Sequence, residues 1–384
     1  TFLLRRWYAF AVVALILTSS AAAVLVILTN RRPVVTELRR TILRYSLAGI
    51  FFLLALIIFQ GDLARRILQT SYSDAYSAYQ SDAAWQISRY TGYFGYFALG
   101  LVALGLLVDL MQRRMTSLFL FCTAIATALL FARVQAPSLQ HLLPVGLFLF
   151  PGFYSGLAFV HDRLGPARPV LWLLLALNFI STYLPDRWDF ANQVRGLFPQ
   201  IHTPPLYLEN YAEYQRLIAD LKALDPEKKV AVFASSSILS DSLLAALSPD
   251  LDHRIEWVSQ VDSRDGFRWT SLTADYFVVG QPTPLHLNPP DQRVIQFPAD
   301  EISQGTGIGA AMSALPDSYA LAGGVTARIY ARVRPLALQD ISPLAERFFA
   351  AYPDWRGPSE GDLGTLLGTT ALPGDVGGAE PSVR

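Results

Sequence analysis

The chain has 384 residues, of which 52% are hydrophobic, and a mean hydropathy of +0.32, which is too apolar for an ordinary soluble protein. Its 31 basic and 31 acidic side chains cancel, which excludes the strongly basic surface typical of nucleic-acid-binding proteins. The single cysteine, Cys122, excludes an internal disulfide.

Apolar runs in the first 186 residues predict a polytopic α-helical membrane domain of about six helices. These segments should be helical because lipid offers no hydrogen-bond partners to the backbone. The fourth and sixth runs are short and would need help from flanking residues to cross a bilayer. The predicted spans are Tyr8–Leu28, Ile42–Gln60, Tyr93–Met111, Ser117–Ala132, Leu142–Val160 and Val170–Leu184.

Arginine density between the spans predicts their orientation, because short cytoplasmic loops are enriched in basic residues. The segment 131–144 and everything after Leu184 should then lie outside the cell. Thr1 would share that outer side, and it is not a Met, so we expect the biological start and an odd number of further spans upstream. The denser, cytoplasmic set is Arg31, Arg32, Arg39, Arg40, Arg113, Arg114, Arg163 and Arg168, and the outer set is Arg5, Arg6, Arg65, Arg66, Arg89 and Arg133.

The outer loop 61–91 carries tyrosines at helical spacing. This spacing predicts an amphipathic helix in the membrane interface, where tyrosine is favoured. For the loop's carboxylates we favour solvation or helix capping over acid–base chemistry or metal binding. The tyrosines are Tyr72, Tyr76 and Tyr79, and the carboxylates are Asp62, Asp74 and Asp82.

The segment 131–144 joins two apolar runs and places Arg133, Gln135, Gln140 and His141 where a membrane helix meets water. Two interpretations stay open. The segment is a helix-ending loop with a snorkelling arginine, or it is a polar site that binds an anionic head group. A planar guanidinium can bind phosphate through two parallel hydrogen bonds.

After a linker at 187–206, the composition becomes that of a globular domain, and we predict a small extracytoplasmic α/β or α+β domain at 207–355. Residues 356–384 are rich in Gly, Pro and Ser and predict a disordered tail. The predicted helices are Tyr207–Leu224, Leu239–Leu247 and Leu344–Ala351. The predicted strands are Val230–Ala234, Arg254–Val258, Tyr276–Val279, Val294–Phe297 and Val325–Val333.

Two short motifs in this domain have ordinary explanations. The run Gly305–Ala310 fits G-x-G-x-x-A, but it lacks an adjoining strand, so a glycine-rich loop is favoured over dinucleotide binding. The serines 235–237 lie between a predicted strand and a helix, and capping is favoured over an anion cradle or a nucleophile. None of the five histidines has metal-ligand spacing, so no metal site is predicted.

Several segments together resemble the bacterial GT-C membrane glycosyltransferases, in particular family 39 and the RgtA/B/C/D-like enzymes related to protein mannosyltransferases and aminoarabinose transferases. The segments are Phe131-Ala-Arg-Val-Gln135 followed by Gln140-His141, Asp262–Phe267, Gly305–Gly309 and Gly324–Tyr330. The resemblance covers most of residues 1–355.

The resemblance implies transfer of a sugar from a polyprenyl-phosphate carrier to an extracytoplasmic acceptor, at the bacterial inner membrane. It implies substrate binding by Arg133, Gln135 and His141, with Arg133 and then His141 stabilising the leaving phosphate. The general base is expected upstream of Thr1, so this chain alone should be inactive, and a divalent cation stays open as a cofactor. The alternative is a non-enzymatic envelope protein, a sugar-lipid transport or assembly subunit whose outer domain binds a partner.

Overall fold

The computed structural model describes residues 8–29, 34–69, 71–181, 193–194, 196–199 and 208–367. The chain divides into two compact units, Thr1–Pro205 and Leu206–Arg384. The described part of the first unit is helical, and the second unit is built on a small sheet.

The helices of the first unit are α1 Tyr8–Thr29, α2 Val34–Gln69, α3 Tyr72–Ala75, α4 Ala83–Phe94, α5 Tyr96–Met111, α6 Thr116–Ala132, α7 Leu142–Leu164 and α8 Arg168–Ser181. Helices α5, α6 and α7 form its centre. Helix α1 packs on α6, where the hydroxyl groups of Thr18 and Thr123 lie 2.8 Å apart and the rings of Phe10 and Phe131 meet edge to face.

The described helices only partly match the six predicted spans. Two segments, Tyr8–Ile27 and Leu139–Ser181, are long and apolar enough to cross a membrane. Helices α4 and α5 qualify as a third only when counted together, across an 89° bend. Helix α6 is apolar but has 17 residues, and the predicted span Ile42–Gln60 lies within α2, whose backbone is non-helical at Gln60. The apolar helices therefore indicate membrane association, with two or three candidate spans.

Helices α5 and α7 pack closely because glycines face each other. A methyl group added at Gly105 would overlap the carbonyl oxygen of Gly152, and it would lie 2.6 Å from the backbone nitrogen of Gly156. Gly152 and Gly156 form a G-x-x-x-G pattern, which allows close approach of helix backbones in membranes. Nearby, the buried carboxylate of Asp109 accepts hydrogen bonds from the hydroxyls of Ser117 and Ser155.

The single interfacial helix predicted in the loop 61–91 is wrong. Helix α2 continues to Gln69, the short α3 contains Tyr72, and Tyr79 ends a 3₁₀ turn at Ser77–Tyr79. A tertiary hydrogen bond replaces helical periodicity here, because the Tyr79 carbonyl accepts from the Ala136 amide at 2.9 Å. Asp82 caps α4 by accepting from the Trp85 amide at 2.7 Å, which confirms the capping role for this carboxylate.

The second unit is a five-stranded mixed sheet with helices on both faces. The strands are β1 Val230–Phe233, β2 Ile255–Glu256, β3 Tyr276–Gln281, β4 Met312–Ala320 and β5 Thr326–Arg332. They lie in the order β2-β1-β3-β5-β4; β1, β2 and β3 are parallel, and β5 is antiparallel to both β3 and β4. The helices are α9 Tyr211–Ala223, α10 Asp241–Leu247, α11 Asp262–Asp265, α12 Arg293–Gln304, α13 Leu338–Ala351 and α14 Glu360–Leu366.

The alternation of side chains along the strands divides the core between the two faces of the sheet. Phe233 and Phe277 stack within a cluster that includes side chains of α12 and α13. Val232 and Val278 point to the other face, where Leu217 of α9 belongs to the same buried cluster. The sheet is therefore covered on both sides, as in layered α/β domains.

Three predictions for this unit need correction. The predicted strand Val294–Phe297 lies within α12, and the edge strand β4 was missed. The predicted disordered tail, 356–384, begins with structure: α14 spans Glu360–Leu366, and Leu366 is 1% exposed within the core. Residues 368–384 of that prediction lie outside the described residues, as do most of the linker, 187–206, and Arg5, Arg6, Arg31 and Arg32.

Candidate functional site

The segment 131–144 forms a compact connection between two apolar helices. Helix α6 ends at Ala132, a 3₁₀ turn follows at Leu139–His141, and α7 begins at Leu142. Pro137 explains the break, because a residue before proline is biased away from helical geometry and proline itself lacks an N–H. The polar residues of this segment are thus held between two helix ends.

The ring of His141 is fixed from one side. Its Nδ1 lies 3.1 Å from the amide nitrogen of Ser138 and 2.9 Å from the Ser138 hydroxyl. A backbone N–H can only donate, so Nδ1 is the acceptor and the proton of the neutral ring lies on Nε2. The ring also packs on Phe131, with 4.5 Å between centroids, and the residue is only 8% exposed.

The structure brings Gln135 and His141 together. The Nε2 atom of His141 lies 3.4 Å from the side-chain nitrogen atoms of both Gln135 and Gln140. Gln135 is 6% exposed, whereas Gln140 is exposed. An amide nitrogen and the imidazole Nε2–H both donate, so a glutamine amide must turn over before its oxygen can accept from His141.

Arg133, the third predicted site residue, is exposed. No described residue forms a hydrogen bond or an ion pair with its guanidinium. The structure therefore places a cation without a described partner two residues from Gln135, and this arrangement is compatible with both interpretations of the segment.

A second stretch, Tyr79–Gln86, packs on this segment and was missed as part of the site. The Ala136 amide donates to the Tyr79 carbonyl at 2.9 Å. The Gln80 side chain donates to the Val134 carbonyl at 3.4 Å, and the Gln86 side chain donates to the Ala132 carbonyl at 3.4 Å. These contacts join residues about fifty positions apart, so no local sequence pattern could have predicted them.

Among the described residues, no group of three or more His, Cys, Asp or Glu side chains could hold a metal ion. A divalent cation as cofactor stays a prediction from the sequence. The predicted general base is likewise not assigned to any described residue.

The motif Asp262–Phe267 has a structural role. The buried carboxylate of Asp262 accepts from the amides of Arg293 and Val294 at 3.0 and 2.9 Å, which caps α12 from a distant position in the chain. Tyr352 also donates to this carboxylate. Burial raises the pKa of Asp262, and these hydrogen bonds oppose the shift. Asp265 holds the preceding turn by accepting from the Val261 amide at 3.0 Å.

The glycine motif is also structural, because it follows helix α12 and not a strand. Gly305 ends the helix with φ of 69°, and Gly307 has φ of 50°. A side chain at Gly309 would overlap the backbone of Glu301, whose carboxylate accepts from the Ile308 amide at 3.2 Å. A dinucleotide-binding motif requires a strand immediately before its glycines, so this interpretation does not fit the structure.

The serines 235–237 do not cap the helix that follows them, so that prediction is wrong. The cap of α10 is Ser240, which accepts from the Leu243 amide at 3.2 Å, whereas Ser236 stabilises a turn by accepting from the Ile238 amide at 3.0 Å. The buried hydroxyl of Ser235 lies 2.6 Å from Nδ1 of the exposed His286. Although the residue as a whole is exposed, partial burial of its ring beside Ser235 lowers the pKa of His286, and the Arg264 cation lowers it further, against the hydrogen bond to Ser235.

No protein-family model, curated protein or solved structure matches this chain.

Proposed function

We propose that the chain is a membrane glycosyltransferase that takes a sugar from a polyprenyl-phosphate carrier and transfers it to an extracytoplasmic acceptor. The observation that carries the proposal is the exposed Arg133 guanidinium, which has no described partner and lies beside the buried pair Gln135 and His141 at the end of an apolar helix. A polyprenyl phosphate meets these requirements because its hydrocarbon chain partitions into the bilayer while its phosphate stays at the surface.

Charge development explains why a cation is useful here. During transfer the bond between the anomeric carbon and the phosphate oxygen breaks, and its electron pair leaves with the phosphate. The acceptor oxygen bonds to the anomeric carbon and loses its proton to a base. Arg133 offers two parallel N–H donors to the phosphate as its negative charge grows. Such donors act most strongly where water is excluded.

His141 has a defined part in this proposal. Its Nδ1 already accepts from Ser138, so its Nε2–H is the group that can donate to a phosphate oxygen. When this hydrogen atom is donated to the phosphate, Gln135 can orient the sugar or the phosphate. In this arrangement the ring is a donor, and the base that takes the acceptor's proton is a different group.

The test compares Arg133→Lys and Arg133→Ala in the full-length protein in lipid nanodiscs. A bidentate clamp predicts that both variants lose about 2–4 kcal/mol of transition-state stabilisation, or roughly 30- to 1000-fold in sugar transfer from a polyprenyl-phosphate donor. Lysine keeps the charge but loses the paired geometry. Arg114→Lys and Arg114→Ala are matched controls, because Arg114 is exposed just before the opposite end of α6 and should tolerate both changes.

Two results would contradict the proposal. Near wild-type transfer by Arg133→Lys means that the arginine only snorkels, since a long apolar stem with a charged end is then sufficient. Arginine-dependent binding of the donor by the wild type, without transfer to any acceptor, would instead favour a non-enzymatic sugar-lipid subunit.

A further inference from the structure

The side-chain amide of Gln86, in α4, is buried, and only its nitrogen forms hydrogen bonds to described residues. The residue is 7% exposed, and its Nε2 donates to the carbonyls of Ser81 at 3.0 Å and Ala132 at 3.4 Å. Its Oε1 is buried and has no hydrogen-bond partner among the described residues. The hydroxyl of Ser81 is likewise buried without a described partner. Buried polar atoms of this kind are uncommon and call for an explanation.

The chemistry of the unused atom follows from the two bonds that are made. Turning the Gln86 amide over would place its oxygen against the carbonyl oxygens of Ser81 and Ala132, where neither partner could donate. The nitrogen must therefore face these carbonyls. The open atom is an oxygen, which can only accept, so its missing partner must carry an N–H or O–H group.

The Gln86 Oε1 atom, which lacks a described donor, lies next to the predicted phosphate site. Ala132, which holds the Gln86 amide, immediately precedes Arg133, and the Gln80 side chain beside Ser81 donates to the Val134 carbonyl. Both atoms are covered in the structure, and the neighbouring residues Asp82–Trp85 and Arg133 are exposed. A ligand group would therefore reach the acceptor only if these surface side chains moved aside.

We infer that Gln86 and Ser81 bind the sugar of the lipid-phosphate donor, through hydroxyl groups that donate to Gln86 Oε1 and pair with Ser81 Oγ. The inference rests on the proposed function. A phosphodiester carries no hydrogen atom to donate, so the phosphate itself cannot satisfy Gln86, whereas every sugar hydroxyl can. In this arrangement Arg133 binds the phosphate, and Gln86 with Ser81 selects carriers that bear a sugar.

The test measures binding of two probes of equal chain length to the full-length protein in nanodiscs: polyprenyl phosphate, and polyprenyl phosphate bearing glucose, mannose or arabinose. Gln86→Met keeps the size of the side chain and removes its acceptor, and Ser81→Ala removes the hydroxyl. We expect each variant to bind the best sugar-bearing probe about 10- to 100-fold more weakly, with the affinity for the sugar-free probe unchanged. Gln80→Met is the matched control, and it should leave the ratio of the two affinities unchanged.

The other outcomes overturn the inference. An equal loss for both probes means that Gln86 only holds the segment 131–144 in place. No loss for either probe means that a buried water satisfies the amide. In both cases Arg133-dependent binding by the wild type leaves the proposed function standing. A wild type that binds neither probe removes the proposed function and this inference together. If Gln86→Met does not fold, Ser81→Ala decides.

Discussion

The two histidines that contact serines, His141 and His286, differ in how their hydrogen bonds constrain the ring proton. The Nδ1 of His141 accepts from the Ser138 amide, so the proton is on Nε2. The Nδ1 of His286 lies 2.8 Å from the Ser235 carbonyl oxygen, which can only accept, and 3.0 Å from the side-chain nitrogen of Gln292, which can only donate. These contacts fix the tautomer of His141, whereas both tautomers of His286 are compatible with its surroundings.

The lowered pKa of His286 predicts a pH-dependent loop. A histidine whose pKa is lower in the folded state contributes stability above its unfolded pKa, near pH 6.5, and this contribution is lost as pH falls towards the folded value. Relative to the intrinsic exchange rate at each pH, we expect the protection of the amides at residues 235–237 against hydrogen exchange to fall as pH drops below about 6.5 in the wild type. This pH dependence should be absent in His286→Gln.

The matched control for His286→Gln is His253→Gln, because His253 is an exposed histidine of the same unit. Its pH profile should follow the wild type. A wild-type profile that persists in His286→Gln would show that the ring does not control this loop.

At the level of elements, sequence periodicity predicted helices and central strands but failed on short or irregular segments. The four-residue apolar run Val294–Phe297 is compatible with a strand or a helix. The buried positions continue at helical spacing to Ile302, and this longer pattern identifies helix α12. Strand β4 was missed because it is an edge strand whose pairing shifts between Ala314 and Ser318, around Pro316, which cannot donate to a ladder.

The glycine contact between α5 and α7 gives a prediction for the first unit. Gly105→Ala adds a methyl group that overlaps the Gly152 carbonyl, so the helices must separate. We expect a loss of about 1–3 kcal/mol in stability, typical of an overpacked contact, seen as a lower midpoint of thermal helix unfolding in nanodiscs.

The control for Gly105→Ala is Gly100→Ala in the same helix, where an added methyl group meets no atom within 4 Å. This change should be neutral or stabilising by up to about 1 kcal/mol, because alanine is the better helix former. Equal midpoints for the two variants would rule out close packing at Gly105.

For the whole molecule, the sequence indicated only half of the candidate site. Gln135 and His141 lie six residues apart, and one turn brings them together, so a local pattern could identify them. Gln86 reaches the same segment from 46 residues away, and its relevance comes from an unused acceptor atom that only the fold reveals. The motifs of the second unit are structural, and they bear on function only through the resemblance.

The last prediction concerns the side of the membrane on which the second unit lies. Arg113, Arg114, Arg163 and Arg168 lie near helix ends that we assign to the cytoplasm, because basic residues are enriched in short cytoplasmic loops. Arg133 follows the other end of α6, so if this helix crosses the membrane we predict that segment 131–144 and the chain after Leu184 lie outside. A phosphatase that is active only outside the cytoplasm should therefore be active when fused after Pro205 in the full-length protein, and inactive when fused after Arg114. A cytoplasmic reporter should give the reverse pattern. Cytoplasmic activity after Pro205 would reverse the topology and put the Arg133 site on the side where an extracytoplasmic acceptor cannot reach it.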